Sequence, residues 1–159
     1  MGDGNGEKAD NPGVIAPPPL IYAVALAFGL LANRSYPVAL LPRALNRVLG
    51  LLLVVGGLVT GASAIYTIRS AGSNENPYRP ATAVVAGGPY RYTRNPMYVG
   101  FTLIYAGISA MANALPPLLL LPAVFAVMRR GVIEREERYL ERKFGDEYLQ
   151  YKGRVRRWL

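Results

Sequence analysis

Apolar positions along the chain collect into three long uncharged runs, residues 14–33, 48–68 and 95–128, separated by short polar stretches. A membrane-spanning helix needs roughly 20 apolar residues at about 1.5 Å rise each, and each run meets that length. The first opens on Pro17, Pro18 and Pro19, which suit a helix entrance better than its interior, so its helix is predicted from about residue 20. The second lies between Arg47 and Arg69; its Gly50, Gly56, Gly57 and Gly61, with Ala62 and Ala64, let another helix approach closely. The third is 34 residues long. As one helix it reaches about 51 Å, too long for a hydrocarbon core of roughly 30 Å even with tilt. Asn113, Pro116 and Pro117 near its middle predict a tight hairpin instead, with Pro122 as a kink point. The pattern therefore predicts an all-α polytopic membrane protein with four spans, at about 20–33, 48–68, 96–114 and 117–133, forming one domain over residues 14–159.

Beyond Met128 the pattern becomes charge-laced. A cytoplasmic amphipathic helix is predicted over 134–144, with Ile133, Leu140 and Phe144 as its apolar stripe and Glu134 and Arg138 as an i,i+4 pair. Gly145 breaks it, and a second short helix carries Tyr148, Leu149 and Tyr151. The connection between the second and third runs contains SNENPYRP and AVVAGGPYRYTR, whose Gly and Pro content predicts irregular structure. Ordered loops of that length are usually functional. Residues 1–13, MGDGNGEKADNPG, read as a disordered tail. The segment has no basic region of a secretory signal, and Gly6 breaks the myristoylation pattern.

Composition narrows the chemistry. The hydrophobic content of 52 % and mean hydropathy of +0.18 are high for a soluble domain. Cysteine and histidine are both absent, which excludes disulfides, thiolate nucleophiles, imidazole bases and the usual zinc, copper and haem ligands. No metal is expected. The net charge of +8 is unevenly placed: of 18 basic residues, Lys8 precedes the first run, Arg34, Arg43 and Arg47 separate the first two, four lie in the long loop, and ten follow Met128. With the N-terminus in the cytoplasm, fifteen cations lie inside and three outside, as the positive-inside rule prefers. The charge thus points to anionic membrane lipids, with Arg129, Arg130, Arg154, Arg156 and Arg157 on headgroup phosphates, rather than to nucleic acid. A bacterial inner membrane with both termini and the site cytoplasmic is the expected location.

Two segments carry candidate chemistry: GPYRYTRNPMYVG at residues 88–100 and EREERYLERKFGDEYLQY at residues 134–151. In the first, Asn95 is placed as an N-cap and Pro96 as the first helical residue, so free N–H groups open toward the loop. That end, with Arg91 or Arg94, can hold a carboxylate or phosphate while tyrosines wall a ligand. The same residues also fit a plain membrane anchor of interfacial Tyr and Arg. Gly88 suits a close backbone approach and Gly100 close helix packing. In the second segment Glu136 borders the apolar stripe through Leu140 and Phe144, and Glu137 flanks it from the other side. The pair fits either a solvated face or contact with a cationic or hydrogen-bond-donating ligand. Tyr139, Tyr148 and Tyr151 read as packing residues.

Through Gly88-Pro89-Tyr90, Arg94-Asn95-Pro96-Met97-Tyr98 with Gly100, Glu136-Glu137, Leu140, Phe144-Gly145, Tyr148 and Tyr151, the chain resembles the isoprenylcysteine carboxyl methyltransferase family. These are integral-membrane S-adenosylmethionine enzymes related to phospholipid N-methyltransferases. The resemblance runs from about the second span onward. It implies a cofactor pocket formed by Thr82, Ala83, Val84, Val85, Tyr90, Asn95, Pro96, Met97, Tyr98, Glu136 and Glu137. Arg94 and Glu136 are the residues it assigns to the chemistry. The cofactor enters from water and a lipophilic acceptor laterally from the bilayer.

Two positions depart from the family pattern. Asn95 stands where His is usual, which keeps a polar capping side chain but no protonation. In the eukaryotic branch an arginine one turn before the glutamates holds the substrate carboxylate; here that position is Val132. The donor side is therefore better specified than the acceptor, for which a carboxylate, thiol or amine is expected. Two other activities fit the same spans, a membrane NADPH-dependent reductase of sterol type and a non-catalytic four-span protein.

Overall fold

The computed structural model describes residues 10–35, 37–39 and 42–159. Among them the secondary structure is helical, in six α-helices: α1 (Pro18–Ser35), α2 (Arg43–Ser70), α3 (Pro96–Met111), α4 (Leu115–Met128), α5 (Glu134–Phe144) and α6 (Asp146–Arg154). The first four run alternately up and down. The tail expected over 1–13 falls mostly on residues 1–9, outside the described residues, whereas Asp10 to Gly13 lie along α5.

Glycine spacing fixes the closest helix pair. The buried positions of α2 include Gly50, Gly57 and Ala64, seven residues apart, and α3 answers with Gly100 and Gly107. A methyl group on Gly57 would lie 2.6 Å from the Gly100 carbonyl oxygen, and one on Gly107 2.6 Å from that of Gly50. The two helices therefore touch backbone to backbone in antiparallel register, as small residues permit in apolar surroundings. Gly61 shares this contact, its N and Cα 3.1 Å and 3.3 Å from a methyl group placed on Gly100, whereas Gly56, expected to serve the same purpose, has nothing within 4 Å of an added methyl group. On the other side, Gly29 of α1 lies against Pro117 of α4, and the Tyr22 hydroxyl pairs with Thr102 Oγ1 at 2.9 Å.

The hairpin predicted at Asn113 forms. Asn113 takes a left-handed conformation, φ 50°, just past the end of α3. The Asn113 N–H donates to the Ala110 carbonyl and the Ala114 N–H to that of Ser109, the paired bonds of a Schellman cap. Helix α4 starts at Leu115, two residues earlier than expected, with Pro116 and Pro117 in its first turn, where no intrahelical N–H is needed. It does not stop at the charged boundary: a π-helical turn, Arg129–Ile133, carries it directly into α5. The extra residue of a π turn rotates all that follows, and such turns recur at functional sites.

Among the described residues, two helical stretches are long and apolar enough to cross a membrane by length and composition, Arg43–Ser70 and Leu115–Phe144. Pro96–Met111 is a shorter apolar helix. Large apolar side chains point outward around the bundle, including Val24, Phe28 and Leu31 on α1, Leu51, Leu52, Val55, Leu58 and Val59 on α2, and Leu119 on α4. A contiguous apolar exterior of this kind is suited to lipid. Helix α5, in which eight of eleven residues are charged, extends beyond that apolar surface.

Candidate functional site

The end of α2, the start of α3, the loop between them and α5–α6 converge at one end of the bundle. They enclose a cleft with about 950 Å³ of empty space, counted to its open mouth. Ile68, Tyr90, Tyr148 and Tyr151 line it and belong, with Ala64, to an aromatic and aliphatic cluster against which Val84, Val85, Leu140 and Phe144 pack. The Tyr151 hydroxyl donates to the Tyr90 carbonyl at 2.9 Å, tying α6 to the 3₁₀ turn Gly88–Arg91. That turn needs its glycine: Gly88 has φ 52°, and a methyl group there would meet Thr67 Oγ1 at 2.6 Å. Burial pushes the Tyr90 and Tyr148 hydroxyls well above their ordinary value and that of Tyr151 up to about 12, so all three remain protonated near neutral pH.

The two adjacent glutamates have separate partners. Glu136 accepts a hydrogen bond of 2.7 Å from the Tyr98 hydroxyl, which joins α5 to the first turn of α3. Burial raises its carboxyl to about 7, opposed by the Tyr98 hydrogen bond and reinforced by the charge on Glu137. Glu137 is held by two arginines distant in sequence. Arg157 grips both its oxygens, Nε to Oε1 at 2.9 Å and Nη2 to Oε2 at 2.7 Å, and Arg94 Nη2 lies 3.2 Å from Oε1. Arg94 is 9 % exposed, and its Nε and Nη1 have no hydrogen-bond partner among the described residues.

Asn95 and Pro96 occupy the helix-start positions predicted for them, but the Asn95 side chain does not cap the helix. Its Nδ2 donates to the Arg157 carbonyl at 2.9 Å, and Thr93 Oγ1 donates to that same oxygen. The expected row of free N–H groups is also shorter, because the Tyr98 N–H bonds the Asn95 carbonyl and Pro96 has none to offer. Arg157, expected at lipid headgroups, belongs to the site instead. Glu134, expected to pair with Arg138, bonds Arg129 at 2.9 Å, since the π turn brings that side chain within reach.

Of the residues singled out in the sequence, Ala83, Val84, Val85, Tyr90, Arg94, Asn95, Met97, Tyr98, Glu136 and Glu137 line the cleft. Thr82 and Pro96 do not: Thr82 fixes the loop through Oγ1 to the Gly72 carbonyl, and Pro96 is buried beneath the helix start. The cleft has further lining from Ser73 to Pro77, Arg79, Tyr139 and Pro12. Pro12 could not be found from spacing, because it reaches the cleft only when the segment before α1 folds over α5, where Gly13 bonds Arg135 and Asp10 bonds Tyr139 and Lys143. There Asp10 Oδ1 accepts from the Tyr139 hydroxyl at 2.9 Å, and the Ala81 N–H donates to that hydroxyl at 3.1 Å. Val132 is fully buried among Met128, Ile133 and Tyr105, so the position one turn before Glu136 presents no polar group to the cleft.

These elements fall within a known family. Residues 45–147 match the family model described as phospholipid methyltransferase, and the chain belongs to that family. Within it the chain is similar to protein-S-isoprenylcysteine O-methyltransferases: the human protein is 36 % identical over 115 residues, 68 % of this chain and 39 % of that protein. The yeast (Saccharomyces cerevisiae) protein of the same name is 32 % identical over 112 residues, 68 % of this chain and 46 % of that one. A 77-residue stretch, 48 % of this chain, is 36 % identical to 35 % of the cobalt-zinc-cadmium resistance protein CzcN of Cupriavidus metallidurans. The chain thus spans less than half the length of these relatives. No solved structure matches it.

Proposed function

We propose that the chain is an integral-membrane methyltransferase that moves a methyl group from S-adenosylmethionine to a lipophilic acceptor drawn from the bilayer. The observation that carries this reading is the pairing of charges in one cleft: a buried arginine with unpartnered donors and a carboxyl group, Glu136, linked to a neighbouring tyrosine. That arrangement complements the zwitterionic amino-acid end of S-adenosylmethionine, with apolar and aromatic walls left for its adenosine.

The residues present fit this cofactor. Arg94, with the α3 start from Asn95 to Tyr98, would hold its carboxylate, and Glu136 its amino or ribose groups. Ala83, Val84, Val85 and Tyr90 would wall the ring, while Thr82, Pro96 and Glu137 keep the loop, the helix start and Arg94 in place. When bound, the cofactor supplies a methyl group already made electrophilic by its sulfonium. The chain's own task is to align the acceptor and exclude water. A thiol or amine acceptor must also lose a proton, which water or a glutamate can take. A carboxylate acceptor needs no base.

In the proposed topology α1 to α4 are four spans, with fifteen of eighteen basic residues, both termini and the cleft on the cytoplasmic side of a bacterial inner membrane. Helices α5 and α6 lie on that face as the charged cap of the cleft. The buried, apolar Val132 offers no cation for an acceptor carboxylate, so an acceptor bound chiefly through its apolar body is favoured. Isothermal titration of the purified protein tests the donor side. Heat with S-adenosylmethionine and with S-adenosylhomocysteine, but not with NADPH, is expected, and no heat with the first two overturns the reading.

A further inference from the structure

Residues 155–158, which follow α6, return to the α3 start and bind it at three points. The Arg94 N–H donates to the Arg156 carbonyl at 2.9 Å, and the Arg157 carbonyl accepts from both Thr93 Oγ1 and Asn95 Nδ2. Trp158 anchors the segment by an edge contact with Phe125, 5.6 Å between ring centres. The Arg157 guanidinium then takes both oxygens of Glu137 in a fork.

Two arginines thus share one carboxylate, and the cluster keeps one net positive charge in a site where the Arg94 and Glu137 side chains are 9 % and 8 % exposed. A planar carboxylate is best satisfied by a two-pronged guanidinium contact, and Arg157 supplies it. Arg94 is left with a single contact to Glu137, through Nη2, and its Nε and Nη1 remain without a partner. Without Arg157, Glu137 becomes the strongest acceptor within reach of Arg94. The guanidinium would turn its fork toward Glu137, and the cluster would lose its excess charge.

We propose that Arg157 is a positioning residue of the cleft: by occupying Glu137 it keeps Arg94 available as the receptor for the carboxylate of the bound ligand. This rests on the reading of the cleft as an S-adenosylmethionine site. Its consequence is selective, because only a ligand bearing a carboxylate benefits from the arrangement.

Decarboxylated S-adenosylmethionine keeps the sulfonium, the amine and the adenosine and lacks only the carboxylate. Isothermal titration of wild type, Arg157→Gln and Arg157→Lys with both compounds therefore isolates the effect. Arg157→Gln is expected to weaken S-adenosylmethionine by about tenfold or more and the decarboxylated compound by no more than about twofold. Arg157→Lys, which keeps the charge without the fork, falls between and serves alone should the glutamine variant not fold. Equal weakening of both ligands, or unchanged affinity for S-adenosylmethionine, overturns the proposal. Wild-type protein that binds neither compound overturns the cofactor reading itself, and the role of Arg157 with it.

Discussion

The Tyr98 hydroxyl donates to Glu136 Oε1 across 2.7 Å, joining residues 38 positions apart in the lining of the cleft. The bond links the first turn of α3 to a helix that follows a π turn, and so depends on that turn for its register. In the proposed function Glu136 meets a cationic part of the ligand. Glu136→Gln is therefore expected to weaken S-adenosylmethionine by about 1.5–3 kcal/mol, the scale of a hydrogen bond to a charged group. Tyr98→Phe should cost less, about 1 kcal/mol. Titration calorimetry checks both, and thermal unfolding in the same detergent should show little change.

Glu136 also sets an expected pH dependence. Its folded-state carboxyl, near 7, lies above the ordinary 4.5, so burial favours the protonated form. Its contribution to stability is complete below about 4.5 and is lost as pH rises through about 7. Binding runs the other way, because an ammonium group on the ligand favours the ionised carboxylate. Affinity for S-adenosylmethionine should rise by up to about tenfold per pH unit below 7, with proton release on binding, and level off above it. Titrations in buffers of differing ionisation enthalpy measure that release. Glu136→Gln should abolish it.

Glu137 should behave unlike its neighbour. Glu137→Gln leaves Arg94 and Arg157 facing each other without their shared counter-charge in a poorly solvated site. Loss of a partner from a buried ion pair costs about 3–5 kcal/mol. A marked drop in thermal midpoint is expected for Glu137→Gln and not for Glu136→Gln. Equal midpoints for the two variants would show that the cluster does not hold the cleft together.

The contact between α2 and α3 gives a test of the scaffold. Gly107→Ala places a methyl group 2.6 Å from the Gly50 carbonyl oxygen and should destabilise the bundle by about 1–3 kcal/mol. Gly56→Ala meets nothing within 4 Å and should be neutral or slightly stabilising. Unfolding by denaturing detergent separates the two.

Much of this architecture was legible in the sequence, because its causes are local. Proline and asparagine marked the helix starts and the hairpin, uncharged length marked the apolar helices, and Gly145 marked the break between α5 and α6. What escaped was long-range. Nothing near Glu137 indicated that Arg94 and Arg157 would converge on it, and nothing near Asn95 indicated that its amide would serve the Arg157 carbonyl instead of the helix. Glycine spacing marked close packing but not which glycines would pack: Gly50 and Gly57 face α3, whereas Gly56 faces away. The π turn left no periodicity of its own, and it is what redirects Glu134 from Arg138 to Arg129.

The decisive measurement is methyl transfer itself. Purified protein, incubated with S-adenosylmethionine labelled in its methyl group and with a bacterial lipid extract, should move label into an organic-soluble product. Glu136→Gln should reduce that transfer at least about tenfold, in line with the expected loss of cofactor contact. Label that stays wholly in the aqueous phase, from a protein that binds the cofactor and across lipid extracts of different composition, would contradict the assignment of a lipophilic methyl acceptor.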